Sequence, residues 1–155
     1  FYNYDIAEGR GDQSFVKLKN KKIHLIDESY NSNPSSLEFA INKINNLKIK
    51  LKKKIILLGD MLELGKYSKK LHIDVAKIVN KSDINEVYVY GKRIIDTFNK
   101  IKPQKKGRIL YSKKDILNFF IKDIRNGDYL MIKGSNSTGL NAITKNLKLG
   151  RLSAL

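Results

Sequence analysis

From residue 23 onward, short β-branched apolar runs alternate with stretches in which apolar residues recur every three or four positions. The runs fall at residues 23–27, 54–58, 86–90, 108–111 and 129–132, and the helical stretches at 36–47, 68–80, 93–99, 113–125 and 140–147. The first helical stretch puts Leu37, Ala40, Ile41, Ile44 and Leu47 on one face, the mark of a helix laid against a core. Strands separated by helices join one sheet through right-handed crossovers, which makes neighbours parallel. Residues 13–18 alternate loosely and reach residue 23 through the polar turn 19–22, which predicts one antiparallel strand hairpinned onto that sheet. The expected fold is therefore α/β: a three-layer, Rossmann-like domain with a mostly parallel sheet and one antiparallel strand. Ser35 with Glu38, and Ser112 with Asp115, have the spacing of capping boxes at two helix entrances.

At 155 residues and 41% hydrophobic content the chain fits one domain with a single core. It has no cysteine, which excludes disulfides and thiolate metal sites, and only two histidines, His24 and His72. No apolar run approaches the roughly 20 residues that span a bilayer, and no signal-peptide pattern opens the chain. These features predict a soluble, cytoplasmic protein with no membrane partner. The chain begins with Phe1, and residues 1–11 lack a strand or helix pattern. The expectation is a piece of a longer protein: a linker at 1–12, a domain at 13–149 and a tail at 150–155.

The formal net charge of +16 raises the possibility of a nucleic-acid partner. The cations, however, are 26 Lys and only 5 Arg, and surfaces that clamp phosphates or read bases favour arginine's bidentate fork. The densest runs, 17–22 and 48–54, fall at expected surface turns. With 15 Asn and 20 Ile as well, the composition points to an AT-rich coding sequence. No nucleic-acid partner is expected; the alternative, a non-catalytic basic nucleic-acid-binding module, would show steep salt dependence.

The ends of three strands carry the chemistry. The first runs into Asp27-Glu28-Ser29-Tyr30-Asn31-Ser32-Asn33-Pro34-Ser35-Ser36, dense in carboxylates, hydroxyls and carboxamides. The second runs into Gly59-Asp60-Met61-Leu62-Glu63-Leu64-Gly65, with His72 downstream, and the third into Lys133-Gly134-Ser135-Asn136. In open parallel sheets ligands bind at the carboxyl ends of the strands. The chain lacks the P-loop pattern, the dinucleotide fingerprint and any nucleophile-elbow context. By itself it reads as a ligand-binding domain without a complete catalyst.

These motifs, with Gly9-Arg10-Gly11 ahead of them, resemble in order and spacing the signatures of the carboxy-terminal domain of the Mur ligases, from residue 9 to about residue 147. Gly-Arg-Gly and Lys-Gly-Ser are weak alone; Tyr-Asn-x-Asn-Pro together with Gly-Asp-Met-Leu-Glu-Leu-Gly is specific. Within the family, the likeness is to the branch that adds D-alanyl-D-alanine to UDP-N-acetylmuramoyl-tripeptide in peptidoglycan synthesis. The alternative is another amino-acid ligase of the superfamily, against which Tyr30-Asn31-Ser32-Asn33-Pro34 argues. The resemblance implies an ATP-dependent reaction through an acyl phosphate, with Mg²⁺ held mainly by a central ATPase domain and the UDP-sugar by an amino-terminal one. Both lie outside this chain, so the fragment alone is expected to be inactive. The carboxy-terminal domain would close over ATP, excluding water and bringing the incoming dipeptide.

Carried over residue by residue, the resemblance makes Arg10 the catalytic contact to the transferring phosphoryl; without it Arg10 is a linker arginine. Asp27, Glu28, Tyr30, Asn31 and Asn33 become nucleotide contacts. Asp27 and Glu28 stand jointly as ribose acceptors, Glu28 replacing the family's usual second Asp, and Ser32 replaces Ala. Asn33 has the alternative role of shaping the turn before Pro34. Asp60, Glu63, His72, Lys133, Ser135 and Asn136 are assigned to the substrate. The competing reading of the second loop has Met61, Leu62 and Leu64 plugging a domain interface, Asp60 capping a turn and His72 serving structure. Lys133 and Ser135 suit a carboxylate, while 136–139, Asn-Ser-Thr-Gly, departs from the family's usual continuation. No metal ligand is expected in this chain.

Overall fold

The computed structural model describes residues 6–152; the outermost parts of the expected linker (1–5) and tail (153–155) lie outside it. Six strands form one sheet in the order β1-β2-β6-β3-β4-β5: β1 (Asp12–Leu18), β2 (Lys21–Glu28), β3 (Lys54–Gly59), β4 (Glu86–Tyr90), β5 (Lys106–Leu110) and β6 (Tyr129–Lys133). β1 runs antiparallel to β2, and the other pairs are parallel, as the sequence predicted. Two apolar cores flank the sheet. One packs α1 (Pro34–Asn45), α2 (Ser68–Lys81) and α3 (Ile95–Asn99) against Ile26, Ile56, Leu58, Val87, Val89 and Met131. The other packs α4 (Lys113–Asn118) and α5 (Leu140–Lys148) against Leu25, Ile55, Leu57, Leu130 and Ile132. The central strand β3 is buried along its whole length, which is why it reads as an unbroken apolar run.

Local chemistry moves some boundaries. α1 begins at Pro34 because Asn33, and not the expected Ser35–Glu38 pair, caps it. The Asn33 Oδ1 accepts the Ser36 amide at 2.9 Å, and the Asn33 amide donates to the Ser36 hydroxyl at 3.1 Å. Proline then takes the first helical position, where its missing N–H costs nothing. Ser112 caps α4 as expected by accepting the Asp115 amide, whereas the Asp115 carboxylate accepts from Tyr111. Beyond Asn118 this helix widens into a π turn, Phe119–Asp123, which buries the consecutive rings of Phe119 and Phe120. The lysine-rich 48–54 run is not wholly a surface turn. Lys54 is buried, donating to the Asn45 carbonyl at 2.7 Å and pairing with Asp83 at 2.9 Å.

Candidate functional site

β2 leads to α1 on one face of the sheet, and its neighbour β6 leads to α5 on the other. Their outgoing chains part company, and that opens a crevice at the carboxyl ends of the two strands. Glu28 and Lys133, the last residues of β2 and β6, are register partners there. Lys133 Nζ lies 3.9 Å from Glu28 Oε2 and donates to the Asn31 carbonyl at 2.7 Å. Glu28 is only 8% exposed and Lys133 only 3%. Burial raises the Glu28 pKa against the pull of Lys133 and Lys43, and burial lowers that of Lys133 against the pull of Glu28.

A cavity of about 360 Å³ opens over this pair, bounded by Arg10, Tyr30, Asn31 and, from α1, Phe39 and Lys43. The Arg10 guanidinium lies over the Tyr30 ring, 4.3 Å from its centroid. Arg10 is presented by a turn that only glycines can make. Gly9 and Gly11 have φ of 77° and 97°, and a Cβ on Gly11 would meet Glu28 Oε1 at 2.7 Å. The turn is tied to β2: the Gly11 amide donates to the Asp27 carbonyl at 2.6 Å and the Tyr30 amide to the Gly9 carbonyl at 3.0 Å.

Strand alternation separates the two acidic residues that the sequence left together. Glu28 opens into the cavity on the α1 side. Asp27 is fully buried on the α5 side, where its carboxylate accepts the Ser29 amide and hydroxyl at 3.0 and 2.5 Å and Lys148 Nζ at 2.5 Å. Both carboxylate oxygens of Asp27 thus have a partner within the protein. Tyr30 and Asn31 reach the cavity; Asn33 sits one turn away as the α1 cap.

The second loop is anchored inward. Asp60 Oδ1 accepts the amides of Arg93 and Ile94 at 3.0 and 2.8 Å, and Gly91 (φ 143°) lacks the Cβ that would strike it. Met61 is buried in the domain's own core, so it does not plug an external interface, and the partly buried Leu64 packs against that core. His72 is fully buried. Its Nε2 receives the Met61 amide at 3.1 Å and its Nδ1 meets the Ser68 carbonyl at 2.7 Å. Because an amide only donates and a carbonyl only accepts, the proton sits on Nδ1. Glu63 is exposed, with a left-handed φ of 61°.

Ser135 joins all three strand-end loops. Its hydroxyl donates to the Ser32 carbonyl at 3.3 Å and accepts the Leu62 amide at 3.2 Å, while its own amide donates to the Asp60 carbonyl at 3.1 Å. Asn136 is exposed on the rim at the start of a 3₁₀ turn. A second cavity, of about 470 Å³, lies beyond Asp60 at the ends of β4 and β5 and is lined by Tyr90, Lys92, Ile95 and Tyr111. It is the larger space, but its one carboxylate is already bonded to backbone amides. The charged groups converge instead on the Arg10 cavity. A shallower depression of about 270 Å³ between α1 and α2 lies on the backs of helices, away from the strand ends.

Among the described residues no group of three or more His, Asp or Glu side chains converges as a metal site would require if built from protein ligands alone. None of the helices among them is long and apolar enough to cross a membrane. Lys54, Lys133 and Lys148 turn inward to protein partners, which thins the positive surface that the composition advertises.

Residues 14–136 match the family model described as Mur ligase, glutamate ligase domain. The chain belongs to the Mur ligase family. The matched part is that family's carboxy-terminal domain. This Mur ligase domain is 31% identical over 130 residues to the UDP-N-acetylmuramoyl-tripeptide–D-alanyl-D-alanine ligase of Bacillus subtilis, covering 81% of the chain and 28% of the relative. It is 34% identical over 139 residues to the enzyme of that name from Buchnera aphidicola subsp. Acyrthosiphon pisum, covering 85% and 28%. The chain therefore spans less than a third of the length of these relatives. Its fold is that of the MurF ligase from Thermotoga maritima in complex with ADP, with a TM-score of 0.74 at 20% identity over 99% of this chain and 33% of that one. It matches a MurF from Acinetobacter baumannii similarly, with a TM-score of 0.73 at 21% identity over 92% and 31%.

Sequence reading missed Phe39, Lys43, Asp12 and Lys148. Ser36, Phe39 and Lys43 share one stripe of α1 beside the core stripe, and that spacing could have flagged Phe39 and Lys43. Asp12 and Lys148 meet across 136 positions of chain, and no local pattern announces them.

Proposed function

We propose that this domain belongs to an ATP-dependent ligase that joins D-alanyl-D-alanine to UDP-N-acetylmuramoyl-tripeptide in the cytoplasm, and that the Arg10 cavity is where it closes over the nucleotide. The convergence of Arg10, Glu28, Tyr30, Asn31, Lys43 and Lys133 on one crevice, where adjacent parallel strands send their chains to opposite faces of the sheet, carries this reading. In the reaction the γ-phosphoryl passes to the tripeptide carboxylate with loss of ADP. The dipeptide amine then attacks the acyl carbon, and phosphate leaves.

Arg10 contributes a delocalised cation to the charge spread over the transferring phosphoryl. Glu28 accepts from the ribose hydroxyls, a role for which Asp27 has no free oxygen, and Asn31 adds a carboxamide beside it. Lys133 supplies positive charge at the floor of the crevice, between nucleotide and dipeptide. Glu63 and Asn136, exposed on the adjoining rim, are open to the dipeptide. Asp60, His72, Ser135 and Asn33 hold the loops in place through the contacts described above. Mg²⁺, when bound elsewhere in the enzyme, would neutralise phosphate charge.

The test is turnover by the full-length protein with ATP, UDP-N-acetylmuramoyl-tripeptide and D-alanyl-D-alanine. Arg10→Ala is expected to lower kcat roughly a hundredfold or more, with a far smaller change in the KM for dipeptide. Full-length protein that ligates another amino acid and ignores the dipeptide would overturn the substrate assignment. Undiminished turnover by Arg10→Ala would return Arg10 to the linker.

A further inference from the structure

We propose that Lys148, in the last turn of α5, is a positioning residue that holds Arg10 in place for catalysis by locking the glycine turn around it. The inference rests on the reading of Arg10 given above. Asp12 and Asp27 are direct cross-strand partners at the end of the β1–β2 hairpin, where like charges repel. Lys148 Nζ sits between them, 2.6 Å from Asp12 Oδ2 and 2.5 Å from Asp27 Oδ2, with Glu8 Oε1 at 4.0 Å. One ammonium thus turns a repulsive pair into a clamp. Burial works against its charge, but the hydrogen bonds to Asp12 and Asp27 outweigh that and keep its pKa above the ordinary lysine value.

The clamp reaches Arg10 by two routes. The other oxygen of Asp12 accepts the Gly9 amide at 2.7 Å, and the carbonyl of Asp27 accepts the Gly11 amide at 2.6 Å. The amides of the residues on either side of Arg10 are therefore fixed by the two residues that Lys148 joins. Without the ammonium, Asp12 and the fully buried Asp27 face each other as like charges and are driven apart. That loosens the acceptor on which the Gly9 amide hangs. Lys148 is 17% exposed at its side chain and is not among the residues that line the cavity, so it acts on turnover through the residues it joins.

A double-mutant cycle in the full-length ligase tests this. Lys148→Met is expected to lower kcat about tenfold or more, with the KM for D-alanyl-D-alanine little changed, since small misplacements of a catalytic group are costly. Lys148→Arg, which keeps the charge, should restore most of the loss. In an Arg10→Ala background Lys148→Met should change kcat by less than about twofold, although it lowers the melting temperature equally in both backgrounds. Hydrogen exchange in residues 8–12 should speed up in Lys148→Met and not in Lys148→Arg. An equal loss of kcat in both backgrounds would overturn the inference while leaving Arg10's role intact. Wild-type turnover by Arg10→Ala would instead sink the underlying reading and this inference together. Unchanged exchange in residues 8–12 would also refute the clamp, whatever Arg10 does.

Discussion

Glu28 and Lys133 end adjacent parallel strands, face each other at 3.9 Å and are both more than nine-tenths buried. The separation is longer than a hydrogen bond, so the pair offsets little of what burial costs each charge. Both charges thus remain available to something placed over them. A site that holds charge at the expense of stability is a common signature of function.

This carries a signed consequence for pH. Because burial raises the Glu28 pKa, its stabilising contribution is complete below the unfolded carboxylate value and is lost as pH rises through the folded one. Glu28→Gln removes that dependence. The melting temperature of the variant relative to wild type should therefore climb as pH rises from about 4 through the elevated pKa. It is read as a slope, so the fixed cost of removing the carboxylate from beside Lys133 drops out. Nucleotide affinity should move the opposite way: wild-type binding weakens as pH falls through that pKa, and the variant binds weakly at every pH. Parallel melting curves for the two proteins would contradict the assignment.

Asp27, adjacent in sequence, should behave differently. Asp27→Asn leaves the cavity untouched but weakens the bond to Lys148 and the Ser29 turn. Losing a hydrogen bond between charged groups costs about 1.5–3 kcal/mol. A clear drop in melting temperature is expected, with nucleotide affinity less affected than by Glu28→Gln. The reverse ranking would make Asp27 the ribose acceptor.

His72 should prove to be a strut under the 59–65 loop. His72→Ala removes a fully buried ring and orphans the Met61 amide, at a cost of about 2–4 kcal/mol. The pH profile of turnover at a temperature where the variant stays folded should keep its wild-type shape. A lost limb in that profile would place His72 in proton transfer.

The sheet was legible because two periodicities alternate along the chain, and all six strands fall where the sequence put them to within a few residues. The rim of the site was legible because polar motifs follow β2, β3 and β6. What the sequence could not say was which side chains open into the cavity. Asp27 and Glu28 point to opposite faces, but only the placement of α1 and α5 decides which face holds the ligand. His72 looked like a chemical group until its two backbone partners were known. Lys148 lay 121 positions from Asp27, a separation that no local pattern bridges. The family resemblance located the motifs without distinguishing the residues that touch a ligand from those that hold the loops.

Ser135 puts that distinction to the sharpest test. As a free hydroxyl at a strand end beside Lys133 it suits a carboxylate, and the sequence reading gave it to the dipeptide. In the fold its oxygen bridges the Ser32 carbonyl and the Leu62 amide, so one residue ties the 27–36 loop to the 59–65 loop. Ser135→Ala should therefore destabilise the domain by about 1–2 kcal/mol and raise the KM for ATP and for D-alanyl-D-alanine together, because both loops lose their shared anchor. Ser135→Thr, which keeps the hydroxyl, should recover much of both. Lys133→Met should by contrast raise the KM values with a smaller effect on stability, since it relieves the burial of an ammonium and gives up one hydrogen bond, that to the Asn31 carbonyl. If Ser135→Ala raises only the KM for dipeptide and melts like wild type, its hydroxyl belongs to the substrate and the bridge is incidental.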